Sequence, residues 1–230
     1  MAEFRLGFRL GGASKAAEQA ELTQVAGAAR RADDVSLPDV DTRRVNLTLD
    51  YAGLADRGVM LDGGMGAWVR DGHDVTDVVP AERMGKLAPL KIKKTIVNAA
   101  FVREHMGKPG YALVDGRATV FYDGVETGGM KDQPHRTGHI TGAGNFPFTE
   151  VTDDNLMLRS PDELRALLTK AGVKPNDTVL GYCHIGQQMT AVIFVARTLG
   201  HKAVLYDGSM QDWSRHEGYP VENPSKKTAP

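Results

Sequence analysis

The chain contains one cysteine, Cys183, and the residues around it are of the types that nucleophilic chemistry uses. It follows the apolar stretch Thr178–Tyr182 and precedes residues 184–188 (HIGQQ), after which a helix is predicted from Met189. At the carboxyl end of a parallel strand, the N–H groups of the loop and of the next helix converge on one point. Such a nest stabilises an anion and lowers the pKa of a thiol. The residues alone leave two interpretations open, a reactive thiolate and a buried core thiol.

The elements that must position this cysteine alternate between strands and helices. The predicted strands are residues 58–61, 111–115, 178–182 and 203–206. The predicted helices are residues 18–31, 64–68, 95–105, 161–171, 189–199 and 210–216, and Ser160 and Glu163 form a capping box at the start of the fourth. Residues 33–44 and 76–96 are predicted as a loop and a surface linker, and residues 116–148 as a long irregular stretch. This alternation predicts an α/β fold with a parallel sheet covered by helices on both faces.

Composition excludes several classes of function. Hydrophobic residues make up 41% of the 230 residues, which is enough for a globular core. The 28 basic and 29 acidic residues leave a net charge of -1, so no overall field favours nucleic acid or an acidic membrane surface. No apolar run approaches the ~20 residues of a membrane helix, and the first residues lack the apolar core of a signal peptide. We therefore expect a cytoplasmic protein without nucleic-acid or membrane partners; a periplasmic location stays open if the start of the chain is truncated.

Two segments of the chain resemble each other. Residues 62–68 (DGGMGAW) match residues 207–213 (DGSMQDW), with the tryptophan at the same distance from the aspartate in both. This repeat predicts two related α/β units. Upstream of Asp62 we find no counterpart of the cysteine loop, so the first unit is expected to be incomplete or diverged.

Residues 98–222 resemble the catalytic domain of the rhodanese family of sulfurtransferases. The matching motifs are residues 113–117 (LVDGR), 138–143 (GHITGA), 181–188 (GYCHIGQQ) and 205–209 (LYDGS), followed by Trp213. The family's two-domain members pair a non-catalytic first unit with a catalytic second one. The resemblance thus implies an incomplete or diverged non-catalytic unit and linker over residues 1–90 and a catalytic domain over residues 91–230.

The resemblance also implies a reaction. The Cys183 thiolate attacks the outer sulfur of thiosulfate or a similar donor, sulfite leaves, and the persulfide then passes its sulfur to cyanide or a thiol. The implied partners are a small-molecule sulfur donor, a cyanide or thiol acceptor, and a sulfur-relay protein. Neither a metal nor an organic cofactor is required. The implied substrate-binding residues are Arg117, His184, Ile185, Gly186, Gln187, Gln188 and Met189.

Four further residues are assigned supporting roles by the resemblance. Asp115 is expected to form an ion pair with Arg117 beneath the loop. His139, Asp207 and Trp213 are expected to hold the surrounding corners of the fold. Two interpretations of His184 stay open. It either orients the donor or balances its charge, or it is a loop residue without a special role.

Departures from the family pattern leave the donor undecided. Many family members carry cationic residues directly after the cysteine, where this chain has His184 and Ile185. Many also carry an arginine at the position of Phe121. Arg136 could supply the missing charge. A cysteine phosphatase would need an arginine at position 189, which is methionine. A partner-loaded persulfide carrier with little thiosulfate turnover, a 3-mercaptopyruvate sulfurtransferase and a non-catalytic interaction domain are the remaining alternatives.

Overall fold

The computed structural model describes residues 40–78, 89–130 and 133–226. The chain divides into two compact units. The first comprises residues 1–93 and 152–158, and the second residues 94–151 and 159–230. No helix in the described ranges is long and apolar enough to cross a membrane. The interpretation of the first unit as a diverged copy of the second stays a prediction.

The first unit contains two α-helices in its described part. Helix α1 is Val40–Tyr51 and α2 is Gly64–Arg70, and a 3-10 turn, Ala55–Arg57, lies between them. The helical turn predicted after Asp62 is confirmed by α2. The predicted helix over residues 18–31 lies outside the described residues.

Two predictions in this unit are wrong. The loop expected over residues 33–44 gives way to α1 from Val40 onwards. Residues 58–61 are not a strand. A strand requires a neighbour whose backbone groups complete its hydrogen bonds, and none of the described residues pairs with this segment. Its apolar residues are accounted for by burial instead, as at Met60, which is among the buried residues.

The strands of the second unit are β1 Ile96–Val97, β2 Tyr111–Asp115, β3 Gly129–Met130, β4 Gln133–Pro134, β5 His139–Ile140, β6 Gly144–Asn145, β7 Thr178–Tyr182, β8 Ala203–Tyr206 and β9 Val221–Glu222. Five of them form a parallel sheet at its centre, in the order β1-β8-β7-β2-β6. Two antiparallel pairs, β3–β4 and β5–β9, lie outside this sheet. The predicted α/β class with a parallel sheet is confirmed.

Five α-helices accompany these strands in the described residues. They are α3 Ala99–His105, α4 Thr119–Tyr122, α5 Pro161–Lys170, α6 Met189–Thr198 and α7 Ser209–Trp213, and 3-10 turns occupy Phe148–Val151 and Pro224–Lys226. The predicted capping box is present, since Ser160 accepts from the Glu163 N–H and the Glu163 carboxylate accepts from the Ser160 N–H. The stretch 116–148 is less irregular than expected, because it holds α4 and β3 to β6. The helix expected from residue 95 begins only at Ala99, because Ile96 and Val97 pair with β8.

Both faces of the sheet are covered. In β2 and β7 four consecutive residues are buried, although successive side chains point to opposite faces. On one face Leu113 and Leu180 belong to a cluster with Trp213 of α7 and Val102 of α3. On the other face α6 packs so closely that its Met189 side chain fills the space beside Gly181. The carboxyl ends of β2, β7 and β8 therefore meet at one edge, directly before α6 and α7.

Candidate active site

Cys183 directly follows β7 at this edge of the sheet. It is a free thiol and is 0% exposed. The loop of residues 184–188 leads from it into α6, which begins at Met189 as predicted. The sulfur thus lies where the end of a central strand meets the start of a helix.

Three backbone N–H groups form a cradle around the Cys183 sulfur. They belong to Met189, Ile185 and Gly186, and each favours the thiolate. Burial nevertheless outweighs them and raises the pKa of the Cys183 thiol above its ordinary value. The expected lowered pKa is therefore wrong, because the free-energy cost of removing the thiolate from water exceeds the stabilisation by the three amides. The cradle itself is present as predicted.

Ser209 fixes the backbone of the cysteine from the neighbouring strand end. The Cys183 N–H donates to the Ser209 hydroxyl oxygen at 3.0 Å, and that hydroxyl donates to the Tyr206 carbonyl at 2.9 Å. The carbonyls of Cys183 and His184 accept from the N–H groups of Met210 and Gln211 at 3.1 Å each. The first turn of α7 therefore holds the start of the loop in place. Sequence reasoning missed Ser209, although it lies within the repeated motif.

The loop turns sharply at Gly186. Its φ of 85° lies in the left-handed region, and a Cβ here would collide with the backbone of Asp207. Asp207 is exposed and follows β8, so it lies at the edge of the loop, as expected. Only glycine fits this position without moving one of the two segments.

Asp115 and Arg117 form the expected ion pair at the end of β2. The Arg117 Nη2 atom lies 2.6 Å from Asp115 Oδ2, and its Nε atom donates to both carboxylate oxygens. The same Nη2 donates to the Gly138 carbonyl at 2.7 Å. Burial lowers the pKa of Arg117, but Asp115 more than offsets this and the net shift is upward. Arg117 is only 1% exposed, and its role as a substrate-binding residue stays a prediction.

His139 and Trp213 are buried at the sites expected of supporting residues. The His139 ring stacks on Tyr122 at 3.8 Å, and its Nδ1 atom lies 2.8 Å from the Tyr122 carbonyl. The Trp213 indole donates to the Pro220 carbonyl at 3.1 Å. Both side chains tie segments of the second unit together, and their contacts agree with the expected structural role.

The remaining loop residues differ in their exposure and in the groups with which they make contacts. Ile185 is 50% exposed, whereas the Met189 side chain packs against Gly116 and Gly181 and offers only its N–H to the sulfur. The Gln187 carbonyl accepts from the Thr190 hydroxyl at 2.8 Å, which ties the end of the loop to the first turn of α6. The Gln188 side-chain oxygen is buried without a hydrogen-bond partner among the described residues.

His184 contacts a second histidine that the sequence analysis did not identify. His184 Nδ1 lies 2.8 Å from Nε2 of His135, and the rings are stacked with their centroids 5.1 Å apart. The ring of Phe121 meets His184 edge-on at 4.7 Å. Burial, then Arg117, then His135 lower the pKa of His184 to about 4, which leaves it neutral at pH 7. His184 therefore presents a neutral ring to the loop at this pH, and its role towards the donor stays a prediction.

Arg136, the other candidate for the missing positive charge, directs both Nη atoms to backbone carbonyls. Its two Nη atoms donate to the carbonyls of Tyr219 and Trp213 at 2.7 and 3.1 Å, and its N–H donates to the Ser214 hydroxyl. These contacts tie the segment before β5 to the segment after α7. In the described residues, no group of three or more histidine, cysteine or acidic side chains could hold a metal ion.

Comparison with known proteins identifies the family. Residues 98–216 match the model of the rhodanese-like domain. The chain is 32% identical to the sulfur carrier protein TtuD of Thermus thermophilus over 172 residues, which cover 70% of this chain and 60% of that protein. It is 28% identical to the thiosulfate sulfurtransferase of Pseudomonas aeruginosa over 163 residues, or 70% and 58% of the two chains. The chain thus spans only about three fifths of these relatives.

A solved structure shares the fold. The anaerobic ergothioneine biosynthesis enzyme of Chlorobium limicola, solved with trimethyl histidine, superimposes with a TM-score of 0.71 at 22% identity. The match covers 80% of this chain and 45% of that one. The family model covers strands β2, β6, β7 and β8 of the sheet, the cysteine loop, and helices α6 and α7 that follow β7 and β8. This chain belongs to the rhodanese-like domain family.

Proposed function

We propose that this protein is a sulfurtransferase that carries sulfane sulfur as a persulfide on Cys183. The observation that carries the proposal is the cradle, in which three backbone N–H groups favour the anionic form of one sulfur atom. That sulfur carries the negative charge as the thiolate before it attacks the donor and again after the acceptor has taken the outer sulfur, and preorganised amides stabilise this charge without having to reorient. Curated relatives that are named thiosulfate sulfurtransferases support this reaction class.

The first half-reaction takes sulfur from thiosulfate or a similar donor. The Cys183 thiolate attacks the outer sulfur, the bond to the sulfonyl sulfur breaks, and its electron pair leaves with sulfite. Because the sulfur is fully buried and its thiol pKa is raised, the loop of residues 184–188 must open locally to admit the donor. The thiolate is then formed while the site is hydrated, and closure brings the amides back onto the new persulfide.

In the second half-reaction an acceptor takes the outer sulfur. Cyanide or a thiolate attacks it, the bond between the two sulfurs breaks, and the Cys183 thiolate is regenerated. Residues 91–230 form the catalytic domain in this proposal, and residues 1–90 are the incomplete or diverged non-catalytic unit with its linker. A cytoplasmic location, and a relay protein as a further partner, belong to the same proposal.

A persulfide carrier that is loaded by a partner is the second candidate. The relative with 32% identity is named a sulfur carrier protein, and His184 and Ile185 place no positive charge on the loop at neutral pH. Such a module would hold sulfur on Cys183 but turn over thiosulfate slowly. The two candidates share the persulfide and differ in the donor.

Steady-state kinetics test the proposal. We expect thiocyanate formation from thiosulfate and cyanide with parallel double-reciprocal lines, which indicate a covalent intermediate. The Cys183→Ser variant should lose this activity while keeping its circular-dichroism spectrum. Turnover by folded Cys183→Ser would refute the mechanism. A wild-type protein that turns over slowly with thiosulfate but rapidly with a persulfidated protein donor would favour the carrier.

A further inference from the structure

His135 and His184 form a pair beside the nucleophile, although 49 residues separate them in the chain. His135 is 4% exposed and lies just after β4, and His184 directly follows Cys183. Gly128, on the segment before β3, lies so close that a Cβ there would meet both rings. The pair is thus a packed feature of the loop rather than a chance contact of two surface side chains.

A backbone carbonyl determines which ring nitrogens of the two histidines carry protons. His135 Nδ1 lies 3.3 Å from the carbonyl of Arg136, which can only accept a hydrogen bond. His135 therefore carries its proton on Nδ1 and offers the Nε2 lone pair to His184, whose Nδ1–H donates. The Nε2 atom of His184 then keeps its lone pair, and no described residue bonds to it. His184 is only partly buried, so the loop presents a neutral acceptor rather than a cation.

The cations nearest to this pair in sequence or contact are engaged elsewhere. Arg117 is paired with the Asp115 carboxylate, and both Nη atoms of Arg136 donate to backbone carbonyls at and after the end of α7. Asp207, which lies against Gly186, is an exposed carboxylate. The exposed loop side chain, Ile185, is apolar. Residues 184–188 therefore offer amides and apolar surface to a donor and include no lysine or arginine.

We propose that the His135–His184 pair is a specificity device that keeps the loop neutral, so that the site favours a sulfane-sulfur donor with one negative charge and a carbon-bearing group over the thiosulfate dianion. This inference rests on the proposed sulfurtransferase function and names the class of donor. Organic thiosulfonates and organic persulfides belong to that class. Residues 184–188 offer no lysine or arginine to the second charge of thiosulfate, whereas a carbon substituent can lie against Ile185.

The proposed step is balanced for such a donor. With methanethiosulfonate, the Cys183 thiolate bonds to the outer sulfur, and the bond between this sulfur and the sulfonyl sulfur breaks. The electron pair leaves with methanesulfinate, and the persulfide keeps one negative charge. No oxidant, reductant or proton is consumed. Methanethiosulfonate differs from thiosulfate by a methyl group in place of one charged oxygen, which makes the two donors a matched pair.

The test compares kcat/KM for these two donors, each divided by its rate with a simple thiolate in solution. We expect the wild-type protein to favour methanethiosulfonate, and His184→Lys to shift the preference towards thiosulfate by about tenfold, the effect of roughly 1.4 kcal/mol of added attraction. Ile185→Lys should shift it the same way while leaving the histidine pair in place. Ile92→Lys, at a residue of similar exposure (56%) in the first unit, is the control and should change neither value.

The pH profile of His135→Gln separates this role from simple packing. The titratable or charged groups that act on His184 are His135, Arg117 and Asp115. Without His135, His184 should gain a proton at a higher pH, so the activity of the variant with thiosulfate should rise below pH 6.5 relative to wild type. A merely structural role would lower activity equally at every pH and for both donors.

The outcomes are distinct. Equal normalised kcat/KM values for the two donors in the wild type, with no shift in either lysine variant, would overturn the specificity inference and leave the Cys183 mechanism standing. Turnover of either donor by Cys183→Ser would instead overturn the proposed function. If His184→Lys fails to fold, the Ile185→Lys variant still decides, because residue 185 is exposed.

Discussion

Removal of the Asp115 carboxylate tests whether the ion pair beneath the cysteine loop supports the fold. In Asp115→Asn the side-chain shape is retained, but the charge opposite the Arg117 guanidinium is lost. Arg117 would then be a buried cation whose Nη2 atom, now 2.6 Å from a carboxylate oxygen, faces a neutral amide. The Gly138 carbonyl, which also accepts from this atom, cannot compensate for a full charge.

The expected loss of unfolding free energy is about 3–5 kcal/mol, the cost of leaving one partner of a buried pair uncompensated. For a chain of this size that corresponds to a fall in Tm of roughly 6–20 °C. Glu104→Gln removes a carboxylate from the exposed pair with Lys108, at 3.4 Å, and should cost about 0.5 kcal/mol or less. Both variants replace an acid by its amide. The difference between their losses of unfolding free energy therefore measures the effect of burying the ion pair.

The assay is urea denaturation followed by circular dichroism and tryptophan fluorescence. It includes the double variant Asp115→Leu/Arg117→Met, which removes both charges. This variant should be more stable than the sum of the two single changes predicts, because no charge remains unpaired. A loss below about 1 kcal/mol in Asp115→Asn, or simple additivity in the double variant, would refute the reasoning.

Three further predictions concern the cysteine loop. Gly186→Ala should cost roughly 1–2 kcal/mol for the left-handed φ alone, and it should lower kcat about tenfold or more by displacing amides of the cradle; unchanged kcat would contradict this. Ser209→Ala should lower the unfolding free energy by about 1–3 kcal/mol, because two buried backbone groups lose their hydrogen-bond partner. Ser209→Gly should lower it less, since glycine adopts the φ of 51° at this position without strain. Alkylation of Cys183 by iodoacetamide should inflect at a higher pH than that of the unfolded protein, because burial raises the pKa of this thiol, and an inflection below that of the unfolded protein would contradict the assignment.

The elements that the sequence predicted well carry strong local signals. Strands β2, β7 and β8 are short apolar runs bounded by turn residues, and their predicted limits are confirmed. Helix α5 has a complete capping box at Ser160, which determines its start without help from the rest of the fold. The strand expected over residues 58–61 has a similar apolar run. It fails because pairing depends on a neighbouring strand, which local sequence does not specify.

The parts of the site that sequence reasoning missed depend on contacts between distant segments. His135 and His184 meet because the β3–β4 hairpin packs on the loop, and no spacing in the chain predicts that contact. The role of Ser209 follows from the pairing of β7 with β8, which brings α7 beside Cys183. The expected low thiol pKa was wrong for the same kind of reason. Local geometry predicts the amides, whereas the burial that outweighs them depends on the whole fold.

The most direct test of the central claim is the intact mass of the protein after incubation with a sulfur donor. Parallel samples receive thiosulfate and methanethiosulfonate, and the small molecules are then removed without a reductant. The account predicts that the protein gains the mass of one sulfur atom, that cyanide removes it, and that Cys183→Ser shows no gain. A folded wild-type protein that gains no sulfur from either donor, or a Cys183→Ser variant that gains it equally, would contradict the account.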